Sequence, residues 1–278
     1  MRPLPLALIG LVVAGLALAG WSYATAVADP VVRRARISLP GLSAGKPLKL
    51  ILMSDLHVAG PDMPPERLAR IVSQVNALEP DLVLIAGDFI GDRTLATRHY
   101  TSAESVAPLA ALRPRLGTLA VLGNHDHWRD AAEVSAALAH VGVQLLDNDA
   151  ARAGPLAIGG LDDDFTGHDD RPRTLARIEA IGGVPLLLSH SPDPFPNVPD
   201  SVALMVAGHT HCGQIRLPLI GAVATDSAYG QRYACGLVRE RGKILVVSAG
   251  LGTSVLPLRL GAVPDLWLLT LAADPLRR

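Results

Sequence analysis

The sequence predicts an α/β fold built on a parallel sheet, with a second sheet of mixed direction later in the chain. Three observations lead there. Six short apolar runs end in Gly, Asp, Asn, Ser or His, as buried strands do where they give way to loops. Residues 50–85 read strand, helix, strand, and a βαβ unit implies parallel strands with a right-handed crossover. From Gly154 onward, short apolar segments alternate with turn residues rather than long helices, which indicates the mixed sheet.

At the amino terminus no residue in 3–28 is charged, and 4–21 is almost continuously apolar. As a helix that run spans about 27 Å, near the ~30 Å hydrocarbon core of a bilayer. Residues 1–28 are therefore expected to form a transmembrane anchor or an uncleaved signal segment. Arg2, with Ala24-Thr25-Ala26 or Ala26-Val27-Ala28, also suits a signal peptide that a peptidase removes. Arg33, Arg34 and Arg36 follow the segment and only Arg2 precedes it. By the positive-inside rule that puts the domain in the cytoplasm, whereas an exported signal peptide puts it outside. Residues 29–47, with Pro30, Pro40, Gly41 and Gly45, read as a linker holding at most a short edge strand around 36–39. Residues 48–272 then form one domain, and 273–278 a tail.

Within the domain, strand 50–53 leads to Asp55 and His57. Pro64-Pro65-Glu66 opens a helix through about residue 78, with Leu68, Ile71, Val72 and Val75 on one face, and Glu79-Pro80 stops it. Strand 82–85 leads to Gly87-Asp88, and a second helix lies within 103–112. Strand 118–122 leads to Gly123-Asn124-His125-Asp126. A third helix starts at Asp130, which caps it while Glu133 closes a capping box, and runs to His140. Strand 156–158, the loop 159–170 and a helix near 174–181 follow; Asp162-Asp163-Asp164 in that loop reads as a solvated acidic run. Runs 186–188, 203–206 and 244–247 lead to Ser189-His190, Gly208-His209-Thr210-His211 and Ser248-Ala249-Gly250, and 266–271 is the last strand.

Hydrophobic residues at 49% and a mean hydropathy of +0.32 allow one large core plus a membrane segment. A formal net charge of -1 supplies no basic field for nucleic acid. Cys212 and Cys235 exclude a disulfide framework and a Cys-based zinc site; two reduced thiols are the expectation, with a single pair between them as the alternative. Asp55 and His57, two apart in an extended segment, face one side and can bind one ion; His209 and His211 repeat the device. Asp88 can bridge two cations, Asn124 offers a carbonyl oxygen, and His190 offers another imidazole. These seven groups exceed what one ion needs and suit two divalent metal ions roughly 3.5–4 Å apart. Mixed oxygen and nitrogen donors favour Mn, with Fe or Zn as alternatives. Such a pair lowers the pKa of water and clamps the entering and leaving oxygens of an in-line displacement, for which phosphorus esters and anhydrides are the best electrophiles. His125, flanked by ligands but not needed as one, can protonate the leaving oxygen.

In order, Asp55-Leu56-His57, Gly87-Asp88, Gly123-Asn124-His125-Asp126, His190 and Gly208-His209-Thr210-His211 resemble the metallophosphoesterases, also called calcineurin-like phosphoesterases. The likeness covers about residues 49–271. A finer likeness rests on Leu188-Ser189-His190-Ser191-Pro192-Asp193, on residues 208–218, and on Gly250-Leu251-Gly252-Thr253-Ser254 with Pro257, Arg259 and Pro264. It is to the membrane-anchored bacterial branch that includes the alternative UDP-2,3-diacylglucosamine hydrolases of lipid A synthesis and several generic phosphodiesterases. The resemblance implies a four-layered α-β-β-α sandwich of two mixed β-sheets flanked by helices, the metallo-dependent phosphatase fold. It implies Asp55, His57, Asp88 and His211 on the first ion, Asp88, Asn124, His190 and His209 on the second, and His125 as the catalytic histidine.

Arg216 and Arg259, inside matched motifs, are the first candidates to hold a substrate phosphate. Two departures stand out: Cys212 replaces the branch's usual Gly, and Gly91 holds the place of a second Asp, with Asp92 following. Either Asp92 or Asp126 orients His125, and Asp126 is placed in the catalytic set. The expected reaction is hydrolysis of a phosphodiester or pyrophosphate bond, with UDP-2,3-diacylglucosamine as the leading substrate. An exported general phosphodiesterase and an inactive scaffold are the alternatives. The expected setting is the bacterial inner membrane, with a phosphorylated small-molecule or lipid-linked substrate, no specific nucleic acid, and a monomeric chain.

Overall fold

Apolar runs that are buried on both faces form the strands, and the polar ends of those runs fix where the chain leaves the sheet. The computed structural model describes residues 4–274, so 275–278 of the expected tail lie outside the described residues. In chain order, α1 (Leu4–Val27) is followed by β1 (Val31–Leu39), β2 (Leu48–Met53), the short β3 (Ala59–Gly60), α2 (Pro65–Ala77), β4 (Leu82–Ala86), the short β5 (Arg98–His99) and α3 (Ser102–Val106). Next come β6 (Thr118–Val121), α4 (Asn124–His140), β7 (Gln144–Leu145), β8 (Asp149–Ala153), β9 (Leu156–Leu161), α5 (Arg171–Ile181), β10 (Val184–Ser189) and β11 (Leu204–Ala207). The hairpin β12 (Arg216–Leu217) and β13 (Gly221–Ala222) precedes β14 (Gly236–Glu240), β15 (Lys243–Val247) and β16 (Asp265–Ala273).

Two six-stranded mixed sheets result, in the orders β1-β16-β2-β4-β6-β7 and β14-β15-β11-β10-β9-β8. β2, β4 and β6 run parallel in the first, and β9, β10, β11 and β15 in the second. Facing rows of the two sheets, among them Leu50, Leu52, Leu82 and Leu84 against Ile158, Leu186, Leu188 and Val206, form the central core. The alternate residues Ile51, Met53, Val83 and Ile85 point away and meet Leu68, Ile71 and Val75 of α2 and Val134 and Leu138 of α4. Behind the second sheet, Leu187 and Met205 meet Ile178 of α5 together with Phe195 and Tyr233. Helix, sheet, sheet, helix is the expected four-layered sandwich. Each fully buried Leu or Ile contributes about 1.5–3 kcal/mol, and the layers leave few of them exposed.

Three sequence expectations need correction or refinement. The linker expected over 29–47 is largely strand: β1 pairs in parallel with β16 from Val31↔Asp265 to Leu39↔Ala273. Its alternation is disguised because this edge strand keeps only Ile37 and Leu39 buried: Arg34 and Arg36 sit on the opposite, wet face, while Arg33, on the face of Ile37 and Leu39, is half-buried and pairs with Asp265 at 2.5 Å. Asp130 does begin a helical segment, accepting from the Ala132 and Glu133 backbone amides, yet a further helical turn over 124–129 precedes it. The acidic run is not solvated: Asp163 is buried and bonds Thr166, and Asp162 is buried against His127 at 2.9 Å.

Candidate metal centre

Because the parallel strands of both sheets run the same way, their carboxyl ends open on one edge of the sandwich. β2 delivers Asp55 and His57 there, β4 delivers Asp88, β6 leads into Asn124, β10 into His190, and β11 into His209 and His211. The structure brings all seven together, and all seven are buried. Asp88 Oδ2 lies 3.3 Å from both His57 Nε2 and His190 Nε2, so one carboxylate stands between two groups of ligands. His57 Nε2 is 3.0 Å from His211 Nε2, and His211 Nε2 is 3.5 Å from Asp55. On the other side His190 Nε2 is 3.1 Å from both Asn124 Oδ1 and His209 Nδ1.

Tautomers follow from the outer bonds. His190 gives its Nδ1–H to the Ala86 carbonyl at 2.7 Å, and His209 gives its Nε2–H to the Asp226 carbonyl at 3.0 Å. The opposite nitrogen of each ring therefore aims at the centre. Burial holds His57 down to about 3 and pushes His209 and His211 below the ordinary histidine range, so all three stay neutral donors. Burial raises Asp55 to about 6. Burial also opposes a charged His190, yet Asp88 outweighs it and holds His190 well above its usual range. Two buried carboxylates call for positive charge here, and it falls on His190 when nothing else supplies it. Converging neutral nitrogens, an amide oxygen and uncompensated carboxylates fit divalent cations. Asp55, His57, His211 and Asp88 would hold one, and Asp88, Asn124, His190 and His209 a second.

The backbone shares the cost of this convergence. Asp55, His57, Asp88, His209 and His211 all have positive φ, between 41° and 69°. Non-glycine residues rarely adopt that region, and here it turns five of the seven ligands inward at strand ends. Gly123 and Gly208 complete the fit: a Cβ on Gly123 would lie 2.7 Å from the Asp88 backbone nitrogen, and one on Gly208 2.5 Å from Asp55 Oδ2.

The structure decides between the two acids proposed for His125. His125 Nδ1–H donates to Asp92, so Asp92 is its partner and was missing from the expected site set. Asp126 points the other way, accepting from the backbone amides of Asp88, Phe89, Ile90 and Gly123 at 2.9–3.3 Å. Its placement in the catalytic set is corrected: as the third residue of α4 it turns back to the helix start and pins the Asp88 loop. Burial opposes a charged His125, but Asp88 and the Asp92 hydrogen bond outweigh it, and its pKa is raised. An acid with a raised pKa stays active to higher pH and loses activity as pH climbs through it. Asp92→Asn is therefore expected to move the alkaline limb of the kcat profile to lower pH. The same shift from Asp126→Asn, and none from Asp92→Asn, would reverse the assignment.

Arg259 is also corrected. It is fully buried, with its guanidinium on the carbonyls of Ala249, Gly250, Gly252 and Ala262, and is not free for substrate. It straps residues 249–252 behind Asp55, whose backbone carbonyl accepts from Gly252 at 2.8 Å. Arg216 is half-buried, donates to the Cys212 carbonyl at 3.0 Å, and lines neither cavity described next. Cys212 and Cys235 are not free thiols but a disulfide, their Cα atoms 4.6 Å apart. It closes the loop carrying Asp226, the residue that orients His209.

A cavity of about 220 Å³ lies over the centre, lined by Asp88, Asn124, His125, His209 and His211 with Trp128, Phe165 and Val255. A second, of about 260 Å³, adjoins it through His209, His211, Asp226, Ser254 and Val255 and is walled by Ile215, Val223, Ala224 and Leu256.

The calcineurin-like phosphoesterase family pattern matches residues 48–213. This chain belongs to that family. A Bacillus subtilis protein described as the uncharacterized metallophosphoesterase YkuE is 32% identical over 231 residues, covering 80% of this phosphoesterase and 78% of that protein. A transmembrane protein with metallophosphoesterase domain from Danio rerio is 32% identical over 235 residues, covering 77% of this chain. The chain spans about half the length of that relative, 51%. Among solved structures, the Pseudomonas putida nuclease MPE aligns at 16% identity with a TM-score of 0.39, covering 81% of this chain and 80% of that one.

Proposed function

We propose that this phosphoesterase hydrolyses a phosphodiester or pyrophosphate bond in an amphiphilic, membrane-held substrate. The observation that carries the reading is the buried convergence of seven donors around Asp88, with His125 beside it at the mouth. Two divalent cations bound there, Mn first among them, supply Lewis acidity and a more acidic water. Asp88 serves both ligand groups through one oxygen, and Asp126 fixes the loop from which Asp88 projects. With its Nδ1–H on Asp92, His125 keeps Nε2 as the nitrogen that carries a proton to the leaving oxygen. Trp128, edge-on to His125 at 4.8 Å, and Phe165 line the cleft with half-exposed aromatic faces.

The amphiphilic part of the reading rests on the second cavity. No Lys or Arg lines it, so it supplies no fixed cation for a second anionic group. Its aliphatic walls suit an acyl or prenyl chain, worth about 0.8 kcal/mol per buried methylene. UDP-2,3-diacylglucosamine at the inner membrane fits both halves, with its pyrophosphate over the metal centre and an acyl chain beside it. A second reading, an exported phosphodiesterase, is favoured by the Cys212–Cys235 disulfide, since such bonds persist in oxidising compartments.

The test is UMP release from UDP-2,3-diacylglucosamine by the full-length protein in detergent, with Mn added and EDTA as control. Metal-dependent release is expected. Cleavage of an aryl phosphodiester without UMP release would favour the exported enzyme, and cleavage of neither would leave a scaffold.

A further inference from the structure

We infer that the hairpin β12–β13 and the neighbouring segment 254–258 form a membrane-docking face that sets the mouth of the metal cleft against the bilayer holding α1. The inference rests on α1 lying in a bilayer, as the proposed function assumes, and not on the reaction.

α1 is 24 residues long, or about 36 Å as a helix, enough to cross a hydrocarbon core. Trp21 and Tyr23 stand exposed near its carboxyl end, where an aromatic belt marks the level of the lipid headgroups. Between them, Ser22 is buried and its carbonyl accepts from the Arg259 backbone amide at 2.9 Å. The domain thus touches the helix at headgroup depth, through the segment that leads back to Val255 and Leu256. The hairpin is tied to the same place: the Arg216 amide donates to the Leu260 carbonyl at 2.7 Å, and the Leu260 amide to the Gln214 carbonyl at 3.0 Å. Its tip lies three to four extended residues away, about 10–13 Å.

What the hairpin presents there is apolar. Residues 217–225 and 253–258 contain no charged side chain. Leu219 is fully exposed, and Ile220, Val223 and Val255 are 65%, 62% and 71% exposed. A run of this kind with no protein cover is a binding surface. The bilayer is its occupant because the face continues from the point where the membrane helix is docked. Val223 and Val255 also wall the second cavity, so a lipid chain leaving the bilayer along this face reaches the metal centre without crossing water.

The test uses full-length protein in phosphatidylethanolamine–phosphatidylglycerol vesicles, with lipids brominated in the upper acyl chain as quenchers of tryptophan. The part of the wild-type quenching that is lost in Trp21→Phe reports the anchor itself, Trp128 and Trp267 being common to both proteins. In the Trp21→Phe background, Ile220→Trp is expected to add emission that is blue-shifted and loses roughly half or more of its intensity to the bromines, as for side chains some 5–10 Å into the interface. Leu219→Trp should repeat the result if the first variant folds poorly. Added emission that is water-like and unquenched overturns the docking face while leaving the anchor intact. Emission that is blue-shifted yet unquenched also overturns it, since a second copy of the chain would then cover the hairpin. Failure of Trp21 to quench removes the anchor and the inference together.

Discussion

Asp88→Asn is expected to lower kcat on an aryl phosphodiester by about three orders of magnitude, on the order of 4 kcal/mol in the barrier. The reason is positional. Asp88 Oδ2 is equally near the His57 and His190 nitrogens, so removing its charge weakens both ligand groups at once. A neutral amide keeps the shape and its oxygen can still accept the His125 backbone amide now bonded at 2.9 Å, so folding should survive. Metal content measured alongside the rate should fall from two ions per chain. Full occupancy with unchanged turnover would show that Asp88 bridges nothing.

His125→Ala is expected to lower kcat by about 10²–10⁴ on a substrate with an alkoxide leaving group, the range for losing a general acid. The loss should be much smaller with nitrophenolate, which departs without a proton. That contrast separates proton delivery from general damage to the centre, because His125 also stacks edge-on against His57 at 4.7 Å. Equal losses on both substrates would remove the acid role and leave His125 a packing residue.

How far the sequence reaches is clear from particular residues. The strands that lead to the ligands were legible because each holds an uninterrupted apolar run, and the ligands because they follow those runs directly; β8 and β14, which carry Asp149, Arg152, Arg239 and Glu240, were not. β1 was not, since Arg33, Arg34 and Arg36 interrupt its apolar run on both faces and only Ile37 and Leu39 are buried. Asp126 was misassigned because adjacency in sequence placed it with His125. In the helix start its side chain turns back to four backbone amides, while Asp92, thirty-three residues before His125, reaches the imidazole. Arg259 illustrates the same limit. A guanidinium in a functional motif reads as a phosphate ligand until its carbonyl partners are known. The disulfide joins residues twenty-three apart across a loop of irregular backbone, a meeting that no periodicity announces. The positive φ of five ligands was likewise invisible: Asp and His enter that region more readily than most residues, but too rarely to announce it, and the surrounding strand ends impose it.

The central claim is two cations on one shared carboxylate, and anomalous diffraction at the manganese edge from crystals of the full-length protein grown with Mn tests it most directly. The account predicts two peaks, roughly 3.5–4 Å apart. One should lie against Asp55, His57 and His211, the other against Asn124, His190 and His209, with Asp88 touching both. A single peak, or peaks away from Asp88, would contradict it.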